Sequence, residues 1–536
     1  MQPSLLAGFV LLSGLFQLVF VASPHTLEWT SNQDIPFVLR ATDPGFNPGD
    51  FFTNASEGAP RTGFAAFVRM LMALGMDWEA AFYTLKAAVI LIRPILVFFI
   101  LLRLAEHVLA SEKTPRLLRP AGAIAAIYAA TMYQTDTWYM IAGWDQIHTN
   151  DVISPMSLSA TLLFGSLLVI LTRHGRAALL FAGALLAVAG WVHPVVALCG
   201  WVWISILLVG LNWSFGKTVR LAGILLPFAL VPALLLQVLY VEPNVISAQE
   251  YRDIYVTWRH PMHFDMGYAV GHVRGLPILV LLFAVGTAWT VLSGNRRQGA
   301  MIALMALFPV AALLTQFITT NLTAISIFVS LGPSRALNLL VPFLVFGLSL
   351  AGFTWAARRS PSADSVVLFP DKMCNAGPAI LSACLLSVIV GPVHVQRGVP
   401  DQGTAELVDW IAENTSEDDV IADMNLVRDR PFQAGYFEPN LVSSAIRIHA
   451  QRAVFYDKTF PYRRAAASEF KARNDFNRSL VGLSMEMIAC SIGQYSIDYA
   501  YYHTNHPHIP ADQSVFSNED YLVFRVPAAV ACDTAH

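Results

Sequence analysis

The chain has 536 residues, of which 55% are hydrophobic and only 13% are charged. Soluble domains carry about 25% charged residues, so much of this surface is expected to face lipid rather than water. A formal net charge of -3 without any Lys/Arg-rich run gives no footing for a nucleic-acid partner. Five cysteines are too few for a disulfide framework; Cys490 and Cys532, both in the polar tail, are the one pair that oxidation could join.

In chain order, apolar runs occur at 4–22, 81–102, 118–133, 152–172, 177–192, 194–211, 219–241, 275–293, 299–318, 335–356 and 376–396. Roughly 20 apolar residues cross a bilayer, so these predict a polytopic α-helical membrane protein of about eleven spans. The block 177–211 is expected as two helices broken at His193-Pro194. Val21-Ala22-Ser23 offers a weak cleavage site. No Lys or Arg precedes the first run, however, and the run is long for a signal sequence, so a retained span is expected.

Every second connection is basic. These connections hold Arg103, Lys113, Arg116 and Arg119, then Arg173 and Arg176, Lys217 and Arg220, Arg296 and Arg297, and last Arg358, Arg359 and Lys372. Positive charge marks the cytoplasmic side, which places the N-terminus inside. The alternate loops 23–80, 134–151, 242–274 and 319–334 then lie outside, as does the tail. Within the first loop, 62–74 has apolar residues at helical spacing and predicts an interfacial amphipathic helix.

Hydropathy falls near residue 399, which divides the chain into a transmembrane domain, 1–398, and a non-cytoplasmic domain, 399–536. A helix is predicted over 404–413 and β runs at 419–423, 452–456, 496–502 and 521–525, making a small α/β domain.

Phosphate loops, His-Glu-x-x-His, Cys-x-x-Cys pairs and Gly-x-Ser-x-Gly elbows are absent from the sequence. The chemistry is therefore sought in ionisable residues gathered on the outer face. Asp34, in Asn32-Gln33-Asp34-Ile35-Pro36, is a candidate general base toward an acceptor hydroxyl; a turn or helix cap is the plain alternative. Asp50, after Asn47-Pro48-Gly49, has the same two readings with more turn character. Arg259, His260 and His263, beside Asp265, suit a phosphate, and imidazole with carboxylate also suits a divalent metal. Arg335 opens a long apolar run, where a guanidinium either snorkels to lipid headgroups or holds a ligand phosphate.

This arrangement resembles the GT-C fold glycosyltransferases. The features that carry the resemblance are a first span, a long outer loop with an early Asp and an amphipathic helix, many spans, an Arg at an outer helix mouth, and an outer C-terminal domain. The tail, with Trp410-Ile411-Ala412-Glu413-Asn414-Thr415, Arg452-Ala453-Val454-Phe455-Tyr456-Asp457-Lys458 and Phe460-Pro461-Tyr462, is similar to those of uncharacterised bacterial members. The resemblance implies a cell-envelope enzyme of the bacterial inner membrane with a periplasmic C-terminal domain. It also implies inverting transfer from a polyprenyl-phosphate-linked sugar, with Asp34 or Asp50 catalytic and Arg335, Arg259, His260 and His263 toward donor phosphate. It fixes no cofactor, and a divalent metal stays open. The competing expectations are a transporter or flippase, for which Lys86 and Arg93 are the main charges within spans, and a non-catalytic polysaccharide-assembly partner.

Overall fold

The computed structural model describes residues 3–20, 31–55, 62–111, 153–173, 175–212, 215–239, 246–259, 314–325, 402–424, 441–457, 463–479, 495–504 and 514–526, with a few isolated positions between them. In chain order the helices are α1 (Pro3–Phe20), α2 (Ser31–Thr42), α3 (Phe51–Asn54), α4 (Thr62–Ala73) and α5 (Trp78–Ser111). Next come α6 (Pro155–Thr172), α7 (Arg176–Val192), α8 (Pro194–Asn212), α9 (Phe215–Leu239) and α10 (Ala248–Arg252), which runs into a π-helical turn at Asp253–Arg259. The C-terminal part holds α11 (Gln402–Asn414), β1 (Val420–Asp423), α12 (Leu441–Ala445), a π-helical turn (Ile446–Ala450) and β2 (Ala453–Val454). It ends with α13 (Ala467–Ser479), β3 (Tyr499–His503), β4 (Phe516–Ser517) and β5 (Tyr521–Arg525).

The chain separates into two compact units, one drawn from 1–24, 60–239 and 260–395, the other from 25–59, 240–259 and 396–536. The sequence suggested a single cut near residue 399. In the structure, parts of the first and third polar loops fold with the tail instead.

The expectation of about eleven spans is corrected. Among the described residues, three helices are long and apolar enough to cross a membrane: Trp78–Glu106, Pro155–Thr172 and Gly216–Leu235. An apolar run in sequence does not guarantee an unbroken helix of spanning length. The first run gives a described apolar stretch of only Leu6–Leu15, and the 177–211 block gives Arg176–Val192 and Pro194–Leu208 on either side of His193. The break before Pro194 holds α7 to 17 residues, Arg176–Val192. The runs at 275–293, 335–356 and 376–396, nearly all of 118–133 and most of 299–318 lie outside the described residues, as do Cys490 and Cys532.

The helical unit packs as membrane helices do, through small residues and hydroxyls. Gly183 and Gly190, two turns apart on α7, lie against Phe228 and Pro232 of α9. On the α6 side, Ser159 and Ser166 donate to the carbonyls of Ala189 and Ala182, both at 2.8 Å. The two bonds are seven residues apart on each helix, and this fixes the antiparallel register. The core between helices holds Val97, Phe98, Leu101, Phe164, Leu167, Trp203 and Leu207. Outside it, Leu180, Phe181, Val188 and Trp191 of α7 and Val219, Val231, Leu234 and Leu235 of α9 are exposed. Apolar side chains on the outside as well as the inside are the pattern that suits contact with lipid.

Helix α4 covers the end of α7. Phe64 meets Phe82 edge-on at 5.7 Å, and Thr62 Oγ1 accepts from the Trp191 indole at 3.1 Å. The opposite face carries Arg69, Met70 and Leu74, the last 74% exposed. A Cβ on Gly63 would come 2.6 Å from the Trp191 backbone, so nothing larger fits there. Gly63→Ala is expected to lower stability by about 1–3 kcal/mol through overpacking. Gly223→Ala, where a Cβ meets nothing within 4 Å, should be neutral or slightly stabilising. Thermal unfolding of the two variants in lipid checks the contrast.

The second unit is built on a five-stranded sheet in the order β2-β1-β3-β5-β4. Strands β2, β1 and β3 are parallel, with Ile421 opposite both Val454 and Tyr499; β5 and β4 continue antiparallel. The sheet is buried around Ile421, Ala500 and Val523. Helix α11 lays Leu407, Val408 and Ile411 into the core, while Trp410 reaches Tyr499 and Phe516. Arg452 closes the end of this helix, donating to the carbonyls of Ala412 and Thr415 at 2.9 and 2.7 Å. A cation there complements the helix dipole.

Candidate functional site

In an open sheet with parallel strands, ligands gather beyond the carboxyl ends where the strand order reverses. Here β2 and β3 flank β1, so the reversal falls at β1, whose last residue is Asp423. Asp423 is paired in register with Tyr501 of β3. Ser443 of α12 donates to the Asp423 carboxylate at 3.1 Å and lies 3.3 Å from the Tyr501 hydroxyl. All three are buried. Burial first, and the Asp423 charge second, push the Tyr501 phenol well above its ordinary value. Burial alone raises the neighbouring Tyr502.

Just past β2, the same edge carries a second polar group. Arg447, on the π-helical turn, donates from Nε to Asp50 Oδ2 at 2.9 Å and from Nη1 to Asp457 Oδ2 at 2.7 Å. Its Nη2 reaches Thr53 Oγ1 at 3.1 Å, and the guanidinium carbon stands 5.3 Å from the Phe52 ring centre. Arg447, Asp50 and Asp457 are at most 2% exposed. Burial by itself would lower the Arg447 value, but the two carboxylates overcome this and hold it above normal.

Asp50 follows its local sequence. It is the N-cap of α3, where Asp is favoured, and its Oδ2 accepts from the Thr53 backbone at 2.7 Å and from the Thr53 hydroxyl. The loop before it is shaped by Arg40, which donates to the Phe46 carbonyl and to Asn54 Oδ1. Asn47 bridges to the C-terminal part, its amide 3.1 Å from the Arg452 carbonyl. The structure therefore gives Asp50, considered above as a base, a cap and an ion pair; its Oδ2 already accepts three bonds.

Asp34 lies in the first turn of α2, the favourable end for a carboxylate, and is fully buried within the second unit. Arg335, His260 and His263 lie outside the described residues, and Arg259 ends the π-helical turn after α10. The structure thus brings Asp34, Asp50 and Arg259 into one unit and leaves their grouping with Arg335, His260 and His263 open. Among the described residues, no group of three or more His, Cys, Asp or Glu side chains could hold a metal ion.

Arg447, Asp423, Ser443 and Tyr501 were not picked out from the sequence. The Arg447–Asp50 pair joins residues 397 positions apart, and no local pattern announces it. The one available signal was Asp457, which closes an otherwise apolar run in Arg452-Ala453-Val454-Phe455-Tyr456-Asp457.

No protein-family model matches the chain, and no curated protein matches it either.

Two measurements test this account of the edge. Asp50→Ala leaves a buried guanidinium short of a partner and should cost about 3–5 kcal/mol, read by chemical unfolding. Tyr501 binds its proton more tightly folded than unfolded. Its stabilising contribution is therefore complete below about pH 10, the unfolded value, and is lost as pH rises through the folded one. Tyr501→Phe should show a shallower loss of stability above about pH 10 than the parent.

Proposed function

We propose that the chain is a membrane-embedded inverting glycosyltransferase that takes its sugar from a polyprenyl-phosphate carrier on the non-cytoplasmic face. The observation that carries this reading is the position of Asp34. The segment after the first helix, with this carboxylate, is built into the same compact unit as the C-terminal domain, apart from the lipid-suited helices. An enzyme working on a lipid-linked sugar needs both parts: apolar helices for the polyprenyl chain, and a polar unit for the acceptor. Asp50 Oδ2 is taken up by Thr53 and Arg447, which suits it to a structural role rather than to proton transfer. Asp34 would take the acceptor's hydroxyl proton as that oxygen attacks the anomeric carbon opposite the departing phosphate, which inverts the centre. Arg335 would hold the phosphate by charge-assisted hydrogen bonds.

The same unit supports a reading of membrane sidedness. Residues 25–59, 240–259 and 396–536 share one body and hence one face, so the chain crosses an even number of times between 59 and 240. With the basic connections inside, this body is non-cytoplasmic and the N-terminus cytoplasmic.

A transporter is the second reading, favoured by the burial of Lys86 and Arg93 within α5, since ionisable groups inside spans mark transport pathways.

Asp34→Asn should lower sugar transfer by about 10²–10⁴-fold with donor binding retained. Arg335→Ala should instead weaken donor binding. Transfer unaffected by Asp34→Asn would end the catalytic assignment, and loss of flux only with Lys86→Ala or Arg93→Ala would favour transport. For sidedness, single cysteines at Asp43 and Asp253 should both react with impermeant maleimide in intact cells, and one at Arg173 should not. Opposite labelling of Asp43 and Asp253 would break the one-face reading.

A further inference from the structure

We infer that Arg447 is a positioning residue for sugar transfer, fixing the first-loop segment that carries Asp34 against the C-terminal domain without itself touching substrate. This rests on the transferase reading above. Three donor nitrogens of one buried guanidinium are spent on the joint, two of them on Asp50 and Thr53 of the first-loop segment and one on Asp457. The joint is costly in other ways too. Asn47 and Gln451 both hold left-handed backbone, φ 47° and φ 53°, where a residue other than Gly costs on the order of 1–3 kcal/mol. Arg447 itself sits on a π-helical turn, a form that recurs at functional sites. Burying three charges stabilises no better than an apolar joint of the same shape. What the ionic joint adds is a single geometry, because a fork-shaped donor accepts its partners in one arrangement. Helix α2 packs on α12 and on this same turn, so the place of Asp34 is set from Arg447.

A disulfide provides the test. A Cβ on Gly49 would lie 3.7 Å from that of Ala453, close to the mean of about 3.8 Å in disulfides. The full chain is reconstituted in lipid with native cysteines changed to serine, and transfer is followed from a panel of undecaprenyl-phosphate hexoses. Arg447→Met with Asp50→Asn and Asp457→Asn removes all three charges. It should keep its thermal midpoint and its KM for donor while kcat falls about 10²-fold, the cost of a misplacement near 1 Å. Adding Gly49→Cys and Ala453→Cys should restore kcat when oxidised and lose it again on reduction. A folded charge-free variant with parental kcat overturns the inference, and so does a formed disulfide that restores nothing. If the charge-free variant does not fold, Arg447→Lys replaces it, with the same kcat loss and the same disulfide rescue expected. A parent chain that transfers none of the hexoses, yet forms the disulfide, sinks the transferase reading while leaving the joint in place.

Discussion

A guanidinium removed from water costs several kcal/mol unless its donors are matched, and Arg447 is matched only when the first-loop segment and the stretch just past β2 both meet it. Asp50 and Thr53 arrive from the loop after the first helix, and Asp457 arrives from beyond β2. The cluster has one more negative charge than positive, and backbone N–H groups of Thr53 and Val454 are turned toward Asp50. None of these groups can be buried without the others. The second unit is therefore discontinuous by necessity, and residues 31–55 are as much part of it as the sheet. Aromatic contacts follow the same path: Phe52 meets Tyr456 and Phe470, and Arg473 lies over Phe51 and Phe455.

The helical unit is held by a different physics. In a bilayer, burying one apolar side chain against another gains little over burying it in lipid, so close backbone approach and interhelical hydrogen bonds take over. Gly183 and Gly190 give α9 room to approach, and Ser159 and Ser166 lock α6 to α7. Pro227 and Pro232 stand inside α9, an arrangement that costs much in water but is common in membrane helices. The indole of Trp201, donating to the Ala222 carbonyl, adds a polar tie between α8 and α9.

Between Asp423, Ser443 and Tyr501 the sheet edge has a closed set of bonds, with Tyr501 kept protonated by burial and by the adjacent carboxylate. Such a set rigidifies the carboxyl ends of β1 and β3. Together with Arg447 it makes this end of the sheet a fixed frame for the helix α2 segment that packs beside it.

Much of the local structure was legible in the sequence. Short β-type runs place β1, β2, β3 and β5, the helical reading of 404–413 places α11, and His193-Pro194 breaks the apolar block where α7 meets α8. Two-residue β4 carries too little pattern to be seen. About eleven spans were expected from apolar runs, and among the described residues three helices are long and apolar enough to cross a membrane. Asp50 read as turn chemistry, and a cap is what it became; its ion pair with Arg447 had no trace in the sequence. Periodicity, capping and charge alternation act over a few residues and survive in a linear reading. The meeting of positions 50, 447 and 457 is set by burial and charge neutralisation in three dimensions, and only the tertiary structure could decide it.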